Sequence, residues 1–146
     1  MSLFSNPVFG KTLEKTNAWL TRLQGILGWE DPHKVYMTLR AVLHALRDRL
    51  PPDETAELAA QLPMLIRGFF YEGWQPAHKP RKYRHKEEFL QQVSKEAPWL
   101  EGEELERAVT AVFEVLSGEL GAGGEIAQVR QLLPAELREL WALPAM

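Results

Sequence analysis

VYMTLRAVLHALRDRL, residues 35–50, and LERAVTAVFEVLSGEL, residues 105–120, carry the clearest structural signal in this chain. In the first, Val35, Leu39, Val42, Leu43, Leu46 and Leu50 recur mostly three or four places apart. That is the period of one apolar helix face. In the second, Leu105, Val109, Val112, Phe113 and Leu116 keep the same phase 70 positions later.

The echo extends outward from this pair. The same offset of 70 lays Leu20 on Leu90, Trp29 on Trp99, Ala41 on Ala111, Val42 on Val112, Leu46 on Leu116 and Leu50 on Leu120. A repeat of this length implies a unit of several elements that buries its apolar face against a neighbour. A copy of about 60 residues is marginal by itself. The expected architecture is therefore an all-α helical bundle of about eight helices, built from two tandem four-helix subrepeats. These run over 12–72 and 83–142 and are joined by a basic linker at 73–86, all within one domain spanning 1–146.

Local signals place the individual helices. A stripe from Thr12 to Leu27 is followed by Gly28, which suits a helix C-terminus. Asp31-Pro32 reads as an N-cap with proline in the first turn. Pro51-Pro52 closes the second helix, and Asp53 is expected to cap a short third one through Ala60. Pro63 forces a new start, because it lacks an N–H and disfavours helical geometry in the residue before it. A fourth, very apolar helix then runs to Glu72. In the second half, helices are expected at Arg84–Ala97, at Glu103–Leu120, around Ile126 to Leu133, and at Pro134–Trp141. Gly121 to Gly124 breaks the chain where Pro51-Pro52 does. No segment alternates with the two-residue period of a half-buried strand.

Composition bounds the function. The 146 residues carry a formal charge of −3, with 45% apolar and 25% charged residues, values of an ordinary globular chain. With no cysteine, thiolate metal sites, thiol catalysis and disulfides are excluded. Met1 to Gly10 lacks a basic segment followed by an apolar one, so no secretory leader is expected there. No apolar run approaches the ~20 residues that span a bilayer. A soluble cytoplasmic protein without membrane association is the expectation.

The stretch TLRAVLHALRDRLPPDETAELAAQLPMLIRGFFYEGWQPAHKPRKYRHKEEFL resembles the prokaryotic family known as domain of unknown function 2267. The likeness rests on Leu39-Arg40-Ala41-Val42-Leu43 with Leu46 and Leu50, then Gln61-Leu62-Pro63, then Tyr71-Glu72-Gly73-Trp74. Lys79-Pro80-Arg81-Lys82 and His85-Lys86-Glu87-Glu88-Phe89 complete it. It implies a small helical protein with no assigned activity, and it supplies no catalytic residues.

The best candidate for a contact surface is the linker. Lys79, Arg81, Lys82, Arg84 and Lys86 bring five positive charges, with no acid from His78 to Lys86, so the rest of the chain carries −8. Such a segment suits phosphates or an acidic protein surface. The plainer reading is a solvated connection, or one paired with the protein's own acids. Phe69, Phe70, Tyr71 and Trp74 precede it. Phe69 and Phe70 read as core, whereas Tyr71 and Trp74 lack a clear counterpart in the second half and join the candidate surface, Trp74 as an interface anchor if exposed.

Other constellations are weaker. His33, His44, His78 and His85 have no ligand spacing, and His85 with Glu88 reverses the Glu-x-x-His order of a carboxylate di-metal bundle. His44 reads as a satisfied boundary residue. Arg40, Arg47 and Arg49 with Asp48 read as an exposed mixed-charge face. Glu101, Glu103, Glu104 and Glu106 read as helix-start acids favoured by the dipole. Gly121 to Gly124 lacks the Lys-Ser/Thr of a phosphate loop. No catalytic residue, cofactor or metal is expected. The chain reads as a non-enzymatic interaction module that contacts an acidic partner or itself through Tyr71, Trp74, Lys79, Arg81, Lys82, Arg84 and Lys86. Nucleic-acid binding through 78–86 is the first alternative. Small-molecule binding in a groove between the repeats is the second.

Overall fold

Asn6 starts the first helix, since its side chain accepts a hydrogen bond from Val8 N at 2.9 Å and Pro7 follows. The helix, α1, spans Pro7–Leu27 and ends at Gly28, whose left-handed φ of 73° suits a residue without Cβ. It begins ahead of the expected Thr12, because the first turn is set by its cap rather than by an apolar stripe. The computed structural model describes residues 5–121 and 124–142. Residues 1–4, 122–123 and 143–146 lie outside them, and with them part of the expected Gly121–Gly124 break and both ends of the expected 1–146 domain.

The remaining helices follow in order: α2 Pro32–Arg49, α3 Pro52–Gln61, α4 Met64–Tyr71, α5 Lys86–Glu96, α6 Gly102–Leu120, α7 Glu125–Gln131 and α8 Ala135–Leu140. With no strand among the described residues, the protein is an all-α bundle. Asp31 caps α2 as expected, accepting from His33 N at 2.9 Å. Asp53 does not cap α3. Pro51 holds that position, and Asp53 sits one place into the first turn, where its charge still favours the helix dipole. The helix α5 starts at Lys86 rather than Arg84, because Glu88 reaches back to accept from both Arg84 N and His85 N, at 3.3 and 3.2 Å.

Two helices form the centre. α2 is packed by α1, α4, α5 and α6, and α6 by α1, α2, α5, α7 and α8. The first helix of each half lies on the second helix of the other: α1 on α6, and α5 on α2. α3 packs on α7. Buried residues of all eight helices join one apolar cluster. At its far end the Trp141 indole stacks on Phe113, centroids 4.4 Å apart and planes 7° from parallel. Trp141 Nε1 donates to Ser117 Oγ at 2.8 Å, which satisfies its buried polar tip.

Truncating this stack tests how far the core depends on it. Trp141→Ala removes a large buried aromatic and should cost about 3–5 kcal/mol. At roughly 2–4 °C per kcal/mol for a chain of this size, the melting temperature should fall by about 6–20 °C. Thermal unfolding followed by circular dichroism reads this directly, and a fall under ~3 °C would mean that the ring is not a packing element.

Candidate functional site

The C-terminal end of α4 positions the aromatic turn. An isolated helix of eight residues is marginal, and its last carbonyls need partners. Two side chains of α2, Arg47 and His44, supply them, and a third, Arg40, holds the side chain of the capping residue Glu72. Arg47 Nη1 donates to Phe70 O at 2.8 Å and to Glu72 O at 2.9 Å. A ring nitrogen of His44, Nε2, lies 2.6 Å from Phe69 O. Arg40 Nη2 donates to the Glu72 carboxylate at 2.7 Å. The other nitrogen of His44 faces Glu96 of α5 at 2.9 Å, and Arg40 Nη1 reaches the same carboxylate at 2.6 Å. Asp48 balances Arg47 at 2.8 Å.

This corrects the reading of Arg40, Arg47 and Arg49 as an exposed face. Arg47 is 5% exposed and His44 4%, while Arg40 and Arg49 are half-buried. The cause is that α2 is covered on several sides, so polar groups off its apolar stripe are still buried and must bond. His44 is satisfied, as expected, but it lies in the interior rather than at the boundary.

From Tyr71 the chain turns at Gly73, whose φ of 76° a residue with a Cβ rarely adopts. The rings of Tyr71 and Trp74 lie 5.4 Å apart, and Tyr71 sits edge-on to Phe70 at 5.6 Å. Both Tyr71 and Trp74 are half-buried. The Trp74 Nε1 atom is buried and has no acceptor among the described residues.

The linker then runs back along α2 as an ordered strap. Arg81 N donates to Asp48 O at 2.7 Å, and Arg49 Nε donates to Tyr83 O at 2.9 Å. The Tyr83 hydroxyl donates to Ala45 O, and its ring meets Phe89 edge-on at 5.9 Å. Burial, reinforced by the charge of Asp48, pushes the Tyr83 phenol far above its usual range, so it stays a neutral donor. Sequence reasoning missed Tyr83. The available signal was one aromatic within an otherwise polar run.

The strap sorts its cations into two groups. Lys86 begins α5 and pairs with Glu106 at 3.2 Å, so it leaves the candidate surface. His85 Nδ1 lies 2.6 Å from Glu136 of α8, and this hydrogen bond and charge raise its pKa. Lys79, Arg81, Lys82 and Arg84 have no carboxylate within 4.0 Å among the described residues, and the last three are exposed. The half-buried Arg49 lies beneath them. Burial lowers its pKa, Tyr83 opposes this, and the nearby charge of Arg84 lowers it further.

A second cluster joins α3 to α7. Carboxylate oxygens of Glu54, Glu57 and Glu125 lie within 4.8 Å of one another. Gln128 Nε2 donates to Glu54 at 2.8 Å, while Glu54 Oε2 and Glu125 Oε1 are buried and without a partner among the described residues. Burial, followed by the charges of Glu54 and Glu57, raises the Glu125 pKa. These oxygens are of the type a hard divalent cation takes, but beyond their acidity nothing marks them as a metal centre. The sequence could not show the cluster, because the two helices meet only in the fold.

The molecule is thus a helical bundle carrying a basic strap over its central helix. The family described as "Uncharacterized conserved protein (DUF2267)" matches residues 16–140, and the chain belongs to that family. The comparison with curated proteins found no match.

Two substitutions test these clusters. His44→Ala leaves the Glu96 carboxylate and Phe69 O without their shared partner. It should cost about 1–3 kcal/mol, or roughly 2–12 °C in melting temperature. Glu125→Gln acts in the opposite direction. A carboxyl whose folded pKa is raised contributes stability that is complete below its unfolded pKa and is lost as pH rises through the folded one. The glutamine should therefore raise the melting temperature at pH 7 by roughly 1–3 °C. This advantage should disappear as pH falls toward the ordinary carboxyl value of 4.5. A gain independent of pH would show that Glu125 is not strained by its charge.

Proposed function

We propose that this protein is a cytoplasmic, non-enzymatic interaction module that binds an acidic protein surface through the strap and the edge of the Tyr71–Trp74 turn. One observation carries the reading. The strap is pinned to α2 at Arg81 N, Tyr83 O and the Tyr83 hydroxyl, yet Lys79, Arg81, Lys82 and Arg84 are left without acids. The plainer reading, pairing with the protein's own acidic surface, accounts for Lys86 and His85 but not for these four. Because the strap's backbone is already fixed, binding costs only the ordering of the side chains and not of the segment, so more of the contact energy appears as affinity. The four cations lie against a body of opposite net charge, which favours a defined patch over general adhesion. The buried histidine, His44, is engaged at both ring nitrogens, which supports a structural role for it.

We also infer that residues 12–72 and 83–142 are two copies of one unit. Exchanging α1–α4 for α5–α8 carries α1 on α6 into α5 on α2, α2 on α4 into α6 on α8, and α1 on α4 into α5 on α8. Arg47 and Ser117, 70 places apart, each bond the end of the fourth helix of their own half. On this reading the strap is the junction between copies and has no equivalent in either.

The triple variant Arg81→Glu, Lys82→Glu, Arg84→Glu should lose any partner recovered by the wild-type protein and keep its helical circular dichroism. Unchanged recovery would sink the proposal. A mixed DNA and RNA pool at ~50 mM salt separates the alternative. A shift that weakens steeply with salt would assign the strap to phosphates instead.

A further inference from the structure

A separate surface lies at the other end of α4. The groove there, about 600 Å³, runs between the first half of α1, the α3–α4 corner and the end of α6. Trp19, Leu62, Pro63 and Leu120 are among the apolar residues that line it. That volume is within the ~300–1,000 Å³ typical of ligand clefts. Leu65 N donates to Thr12 Oγ1 at 3.0 Å, which satisfies an open N–H of α4 and ties the two walls together.

Two features of this groove remain unexplained by the fold. The first is its apolar rim. Of the six large apolar residues exposed among those described, five lie on the N-terminal parts of α1 and α4: Val8, Phe9, Leu13, Met64 and Leu65. Val8 and Met64 line the groove and are 55% and 51% exposed. The second feature is its charge. Lys11, Lys15 and Arg67 line it, and none has a carboxylate within 4.0 Å among the described residues. The acid in the lining, Glu119, is paired with Arg22 at 3.4 Å. The Arg67 guanidinium is fixed by Ala59 O and Leu62 O, both at 2.9 Å, so its charge is held in place.

We propose that this groove binds an amphipathic helix of a partner protein, its apolar face laid on Val8 and Met64 and one flank carrying acidic residues toward Lys11 and Lys15. The two lysines are one turn apart on α1, and glutamates four places apart on a facing helix match that spacing. A helix fits better than a small anionic amphiphile, because three further exposed apolar residues, Phe9, Leu13 and Leu65, lie on the same two helices outside the groove lining. A ligand confined to the cleft leaves those uncovered, whereas a helix of several turns covers a strip. This site does not depend on the strap, and the chain would then hold two contact surfaces at opposite ends of α4, about 12 Å apart along its axis.

The test uses the full chain and a fluorescein-labelled helical peptide of about 18 residues, five turns, with leucines on one face and glutamates on one flank. Fluorescence anisotropy should show saturable binding. Lys11→Glu with Lys15→Glu should weaken it at least about tenfold, a loss of ~1.4 kcal/mol. Met64→Asp, at an exposed position that leaves the core intact, should weaken it similarly. The strap variant Arg81→Glu, Lys82→Glu, Arg84→Glu should bind as the wild type does, so that failure here is distinct from failure of the strap. Equal binding of a peptide with lysines in place of the glutamates would overturn the proposal, as would no binding at ~1 mM. Displacement of the peptide by one equivalent of dodecanoate would assign the groove to a small amphiphile instead and also overturn it.

Discussion

The guanidinium of Arg47 under the open end of α4 is the contact on which the presented surface depends. A helix leaves its last carbonyls without partners, and here that end is covered by α2 rather than by water. Arg47 takes Phe70 O and Glu72 O, and His44 takes Phe69 O. Phe70 O left buried and unbonded would cost on the order of 1–3 kcal/mol, while Phe69 O also accepts from Glu72 N at 3.3 Å. The charge of Arg47 is itself tolerable in the interior because Asp48 lies against it. The direction in which the chain leaves α4, and hence the placement of Tyr71 and Trp74, follows from this clamp.

The same helix also anchors the strap, through Ala45 O, Asp48 O and the Arg49 side chain. α2 is therefore at once the centre of the apolar cluster and the support of the polar surface. Its apolar stripe holds α1, α4, α5 and α6 around it, and its remaining positions fix the segments that pass over its C-terminal half. The strap's backbone is thereby held at Arg81 N and Tyr83 O, unlike that of a solvated loop.

Some of this was legible locally. Gly28 and Asp31 act within a turn of their own position, and their chemistry alone identifies them. Asp53 was misread because two prolines precede it and the cap falls on the first of them. Tyr83 carried no periodic signal, since the strap has no period. Arg40, Arg47 and Arg49 were read as exposed because a charged residue beside an apolar stripe usually is. Their partners lie 23 to 56 places away along the chain, apart from the adjacent Asp48, and nothing in the local pattern reports them.

From sequence alone came the helical class, the phase of each apolar stripe and the concentration of positive charge between His78 and Lys86, because each is a property of a short segment and its own period or composition. Only the tertiary structure decided which polar residues are buried, that the strap is pinned, and that Lys86 is neutralised while Arg81, Lys82 and Arg84 are not. A stripe tells one helix which side to bury. Whether its other sides meet water or another helix depends on every element packed around it.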